Sequence, residues 1–98
     1  MADEFPAGLQ KYSQSPVFTE ATIPDALQKD HSTKALVWGK LVVSRGALTY
    51  VRDGHASQTV QAGETATIFP EEKHHVTPNG EVTFQVEFYR TAAKGKVS

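Results

Sequence analysis

Glu81-Val82-Thr83-Phe84-Gln85-Val86-Glu87-Phe88-Tyr89-Arg90 decides the fold class. Val82, Phe84, Val86 and Phe88 fall on every second position, the period of a strand with one face in a core. Upstream, Ala35–Val43 carries Leu36, Val37, Trp38, Leu41, Val42 and Val43 and ends at Ser44-Arg45-Gly46. Ala47–Arg52 resumes with Leu48 and Tyr50 against Thr49 and Val51, and Asp53-Gly54 reads as a hairpin turn. Ser57–Gln61 returns, and Ala62-Gly63-Glu64 makes the next corner. Thr65–Phe69 and His74–Thr77 flank Pro70, which has no N–H for a ladder and marks an edge or a bend. Pro78-Asn79-Gly80 reads as a turn before the last strand. Pro24–Lys29, with Thr22 ahead of it, is the one helical candidate and is short. Short strands with turn signals about every 8–12 residues predict an all-β sandwich or barrel.

The 98 residues fit a single small domain, 1–98. Residues 1 to about 16, with Pro6, Gly8 and Pro16, read as a partly extended N-terminal arm, and about 92–98 as a short frayed tail. Ten cationic side chains against eleven anionic ones give a net charge of −1. That balance lacks the basic footprint of a nucleic-acid binder and the Lys/Arg run of a protein bound to anionic membranes, so neither partner is expected. No window approaches the roughly 18 apolar residues of a membrane span. The acidic opening Met1–Pro6 has no apolar core of a signal peptide, and a cytoplasmic location is expected. Cysteine is absent, which excludes disulfides, thiolate metal sites and a cysteine nucleophile. Any metal must be held by His and carboxylate ligands.

Four histidines are the obvious metal ligands. His55 follows Asp53-Gly54 and reads as a solvated loop residue. His74 and His75 are strand neighbours and point to opposite faces; if Val76 is in the core, His74 shares its inward face. His31 and His74 converging inside a barrel would suit zinc or a first-row transition metal through neutral imidazoles. Alternatively, each inward histidine satisfies a buried backbone carbonyl. Glu71 or Glu72 could complete a coordination shell, though both read as solvated, and Glu87 is expected to point outward onto a cation. No Gly-x-Ser-x-Gly elbow, phosphate loop or Gly-x-Gly-x-x-Gly is present, and no catalytic residue is assigned. Trp38, Tyr50, Phe69, Phe84 and Phe88 read as core, and one or two could line a ligand pocket.

Several separated motifs carry a family resemblance. Asp30-His31-Ser32-Thr33-Lys34, Val37-Trp38-Gly39-Lys40-Leu41 and Gly46-Ala47-Leu48-Thr49-Tyr50 resemble the small cupin domain of tellurite-resistance proteins of the TehB type and of YeaR-like proteins. Pro70-Glu71-Glu72-Lys73-His74-His75-Val76, the closing Phe84–Arg90 and the opening Pro16–Pro24 fit the same pattern, which covers about residues 10–91. The resemblance implies a cupin double-stranded β-helix, a jelly-roll barrel whose centre often holds a divalent metal. His31 and His74 match the family's histidines, and Gly63 matches the glycine of the second general cupin motif. By general cupin spacing His75 competes with His74. The small family places its histidine four residues after the proline, which favours His74.

General metal-binding cupins carry His-x-His and a nearby Glu in the first motif. Here only His31 is present, so water, a carboxylate or a bound ligand must complete the shell. The function implied is a small cupin that holds a divalent metal (zinc, iron or nickel) at His31 and His74. An open position there takes a small molecule or anion, with a link to tellurite or stress response. Longer relatives carry a methyltransferase domain that 98 residues cannot also contain, so methyl transfer is not expected. Alternatives are a metal-free small-molecule or oxyanion module, with His31 and Lys34 supplying charge or donors, and a structural homodimer built through sheet faces or the N-terminal arm.

Overall fold

Two strands far longer than the sequence segments suggest organise the chain. Residues 6–91 are described by a computed structural model. Its elements are β1 (Leu9–Gln14), β2 (Phe18–Thr19), a 3₁₀ turn (Asp25–Gln28), β3 (Trp38–Arg52), β4 (Gln58–Gln61), β5 (Thr65–Ile68) and β6 (His74–Thr91). The tail read over residues 92–98 lies outside the described residues, as do residues 1–5. Within the segment read as an arm, β1 pairs with the β6 of its own chain.

β3 and β6 are antiparallel from Trp38↔Tyr89 to Arg52↔His74. Two expected interruptions are therefore corrected: Ser44-Arg45-Gly46 does not end a strand, and Pro78-Asn79-Gly80 does not separate two. Both are register shifts inside one ladder, between Val43/Arg45 and Gly46/Leu48. The extra residue at Ser44 changes the phase of β3, so Leu41 and Val43 are buried before the shift and Leu48 and Tyr50 after it. Without it, a strict period of two would turn the second half of the strand outward. Opposite, β6 passes three residues, 79–81, for one on β3, which keeps His74, Val76, Val82, Phe84 and Val86 on the buried face. Turn-forming residues thus serve as bulges because a partner strand continues alongside them. Thr49 Oγ1 lies 2.7 Å from Asn79 Oδ1, and the Val82 N–H donates to Glu20 Oε1 at 3.0 Å, occupying a backbone donor at the bulge.

The strand order is β1-β6-β3-β4, with β2 also on β6 and β5 also on β3. Among the described residues no ladder joins β4 or β5 back to β1 or β2, so the all-β antiparallel sheet carries two register shifts but is not a closed barrel. Its buried face carries Leu41, Val43, Leu48, Tyr50, Val60, Ile68, Val82 and Phe84. Phe18 of β2, Ile23 and Leu27 of the 3₁₀ turn pack with that core.

Gly46 permits a close approach of the two long strands. A Cβ there would lie 1.8 Å from the Glu81 carbonyl oxygen, and its φ is +74°. Gly80 has nearly the same φ, +75°, with no neighbouring atom within 4 Å. Gly46→Ala is expected to lower stability by at least about 2 kcal/mol, through the left-handed backbone and the backbone clash together. Gly80→Ala, which meets only the backbone penalty, is expected to cost about 1–2 kcal/mol. Urea unfolding of the two variants checks the ordering.

Candidate functional site

His31 lies just before the long strand β3, yet it meets His74 through the backbone. The His31 N–H donates to the His74 carbonyl at 3.0 Å and the His74 N–H to the His31 carbonyl at 2.8 Å. Residues that exchange both hydrogen bonds in an antiparallel pair present their side chains on one face. The two imidazoles accordingly sit with ring centroids 4.4 Å apart at 57°. His74 is buried, 2% exposed, and His31 is half-buried.

The His74 ring is oriented by a second contact. Its Nδ1 lies 3.0 Å from the Glu72 carbonyl oxygen. A carbonyl only accepts, so Nδ1 carries the proton and neutral His74 keeps its lone pair on Nε2. The Glu72 carboxylate is in turn gripped by Arg52, with Nε at 2.7 Å from Oε1 and Nη2 at 3.0 Å from Oε2. The Arg52 guanidinium also stacks 4.4 Å from the Phe69 ring centroid, and Phe69 packs on Trp38 at 5.2 Å. The hydrogen bonds from Arg52 hold the Glu72 carboxyl below its ordinary pKa. Tyr50 meets His74 edge-on at 5.8 Å and donates its hydroxyl to the Thr67 carbonyl at 2.8 Å. Burial pushes its phenol pKa well up, so it stays protonated.

Burial is also the main influence on both histidines. It pushes the pKa of His31 down, with the neighbouring His74 adding to the effect. It pushes that of His74 down as well, against an opposing contribution from the Glu72 carbonyl. Two neutral imidazoles side by side are the result at neutral pH.

They form one wall of a cavity of about 220 Å³ between the sheet and the segment that covers it. Pro24, Ala26 and Leu27 line one side of this open-sided pocket; Phe18, Leu41, Ile68, Val76, Phe84, Val86 and Phe88, all on strands, line the other. Ser15 and Thr33 are its remaining polar wall residues.

Of the residues singled out in the sequence, His31 and His74 are brought together. His75 points away, with Nδ1 2.9 Å from Asp30 Oδ1. His55 is exposed beside its turn, 3.7 Å from the Glu72 carboxylate. Neither Glu71 nor Glu72 lines the cavity, which corrects the expectation that one could complete a shell: Glu71 is exposed and Glu72 is bound by Arg52. Lys34 is exposed and is not a wall residue either. Glu87 faces out toward Lys11 at 3.4 Å. Among the described residues no group of three His, Asp or Glu side chains is placed to share a metal ion. Sequence reasoning missed Ser15, Thr33 and the covering residues 18–27 as walls. Thr33 was the accessible one, because it shares the parity of His31.

Nitrogen-15 NMR at pH 8 is expected to show His74 with a protonated Nδ1 and an unprotonated Nε2; the reverse tautomer would contradict the assignment. A depressed histidine pKa means that the unfolded chain binds more protons than the folded one just below the ordinary histidine pKa. The stabilisation is therefore complete above about pH 6.5 and is lost as pH falls through the folded-state values. Urea unfolding between pH 7 and 5 is expected to show falling stability, with a shallower slope in His74→Gln.

Comparison with known proteins agrees with this architecture. The family profile described as TehB-like domain matches residues 13–86. Over 39 residues the chain is 44% identical to the probable S-adenosyl-L-methionine-dependent methyltransferase TehB of Haemophilus influenzae Rd, and 41% identical to that of strain 10810. Each match covers 40% of this chain and 14% of the relative, so the shared stretch is a small part of those proteins. The crystal structure of Haemophilus influenzae TehB superposes with a TM-score of 0.79 at 27% identity, over 87% of this chain and 32% of that one. A crystal structure of a protein from E. coli strain K12 also gives 0.79, at 22% identity over 90% and 96% of the two chains; at that identity the likeness is one of fold. With most of its length matched by the family profile and its sheet reproduced in TehB, the chain belongs to the TehB-like domain family.

Proposed function

We propose that this domain is a small cupin-type ligand-binding module in which His31 and His74 hold a divalent metal ion at the wall of the apolar cavity. The observation that carries the reading is the paired, neutral imidazoles, with the His74 proton committed to the Glu72 carbonyl and Nε2 left as a donor atom. Histidines that bind metals characteristically donate their other ring N–H to a carbonyl or carboxylate in this way. The donor set fits zinc, iron or nickel as two borderline nitrogen ligands. It supplies no anionic ligand, so further positions fall to water or to a bound molecule.

A metal so held supplies a Lewis acid toward that molecule's donor atom. The residues of the chain itself fix the imidazoles and keep them unprotonated. Kinship to TehB supports a link to tellurite resistance for the domain. Methyl transfer belongs to the much longer relatives and forms no part of this reading.

A second reading, binding without metal, is favoured by the absence of a third ligand among the described residues and by the apolar walls. Equilibrium dialysis separates the two. Metal binding predicts near-stoichiometric zinc or nickel in the native chain, with affinity reduced more than about tenfold in His31→Ala and His74→Ala. His75→Ala is expected to bind as the native chain does. No retained metal, or loss in His75→Ala alone, would overturn the metal reading.

A further inference from the structure

The walls of the cavity decide what can gain by entering it. Ser15, Thr33 and the two histidines stand among the wall residues, yet the surface exposed to the space is almost wholly apolar. Both hydroxyls are engaged within the protein. Thr33 Oγ1 donates to the Val37 carbonyl at 2.8 Å, while Ser15 Oγ donates to the Pro16 carbonyl at 2.8 Å and accepts from the Val86 N–H at 3.0 Å. No Asp, Glu, Lys or Arg lines the space. A polar or charged group drawn inside would shed its hydration for no partner. Water finds few partners on such walls for the same reason. A hydrocarbon group sheds no hydrogen bond on entering and gains contact with Leu27, Leu41, Ile68, Phe84 and Phe88.

Size and shape narrow the class further. A cavity of about 150 Å³ with aliphatic and aromatic walls is enough to hold benzene. On that scale the 220 Å³ here takes roughly six to eight carbons, allowing for the side that stands open. The open side lets a longer molecule leave its polar end in water. Ala26, on the 3₁₀ turn, is exposed and lines the cavity, and that turn holds no buried residue. Enlarging Ala26 therefore takes up space from outside the core.

We infer that the pocket is a hydrocarbon-binding site: it takes the tail, about six to eight carbons long, of an amphiphile whose polar end stays at the open side. The inference rests on the reading of this cavity as the ligand site, and it uses neither a metal nor a histidine nitrogen.

The test titrates chelator-treated, metal-free protein at pH 8 with n-butanol, n-hexanol, n-octanol and n-decanol, followed by amide NMR. Each methylene that enters the pocket is expected to tighten binding about three- to fourfold, so n-hexanol binds about tenfold more tightly than n-butanol. The gain ends where the space ends: n-decanol is expected to bind within about twofold of n-octanol. In Ala26→Phe, with its amide spectrum showing an intact fold, the plateau is expected to begin by n-hexanol. The native series decides by itself if that variant does not fold. Shifts that fail to saturate, or equal affinities for n-butanol and n-hexanol, would overturn the inference. A further step of about tenfold from n-octanol to n-decanol would do so too, because it marks an unbounded surface. So would an unchanged series in folded Ala26→Phe. Pocket amides that shift with protein concentration and not with alcohol would seat a second copy of the chain there and overturn it as well. Failure of zinc to bind would overturn the metal reading and leave this one standing; bound zinc without saturable alcohol would do the reverse.

Discussion

The pairing of β3 with β6 is the constraint on which the other features depend. Each strand has a partner on both sides, β4 and β5 on β3, β1 and β2 on β6, so neither can shift without breaking two ladders. The register shifts at Ser44 and at residues 79–81 keep the apolar side chains on one face while the backbone bends. Phe18 of β2, Ile23 and Leu27 pack with the side chains so presented.

The candidate site follows from where β6 begins. Its first residue, His74, is opposite Arg52 on β3 and exchanges backbone hydrogen bonds with His31 on its other side. Arg52 holds the Glu72 carboxylate, and the Glu72 carbonyl holds the His74 proton. One end of the ladder therefore sets the orientation, tautomer and neutrality of the imidazole. Burial is thus the main influence that keeps both imidazoles unprotonated. Unprotonated imidazoles with one ring proton committed to a carbonyl are what the metal reading requires.

Much of the fold was legible because alternation is a local signal. Val82, Phe84 and Val86 are buried as their spacing implies, and the parity argument that set His74 inward and His75 outward agrees with their placement. The turn signals were harder. Ser44-Arg45-Gly46 and Pro78-Asn79-Gly80 have the composition of hairpin corners, and only the partner strand decides between a corner and a bulge. Gly46 illustrates the point, since the Glu81 carbonyl that demands a glycine is 35 positions away. The His31–His74 pair was raised from residue type and strand parity and supported by the family resemblance, but nothing local to either residue announces the backbone bridge that joins them. The tie between Arg52 and Glu72 was invisible for the same reason.

Zinc-edge X-ray absorption of the zinc-loaded chain tests the central claim most directly, because it counts imidazoles on the metal. The expected result is two imidazole ligands with the rest of the shell made of light atoms, and loss of one imidazole in His74→Ala. A shell of three or more imidazoles, or a spectrum unchanged by His74→Ala, would contradict the assignment of the site to the His31–His74 pair.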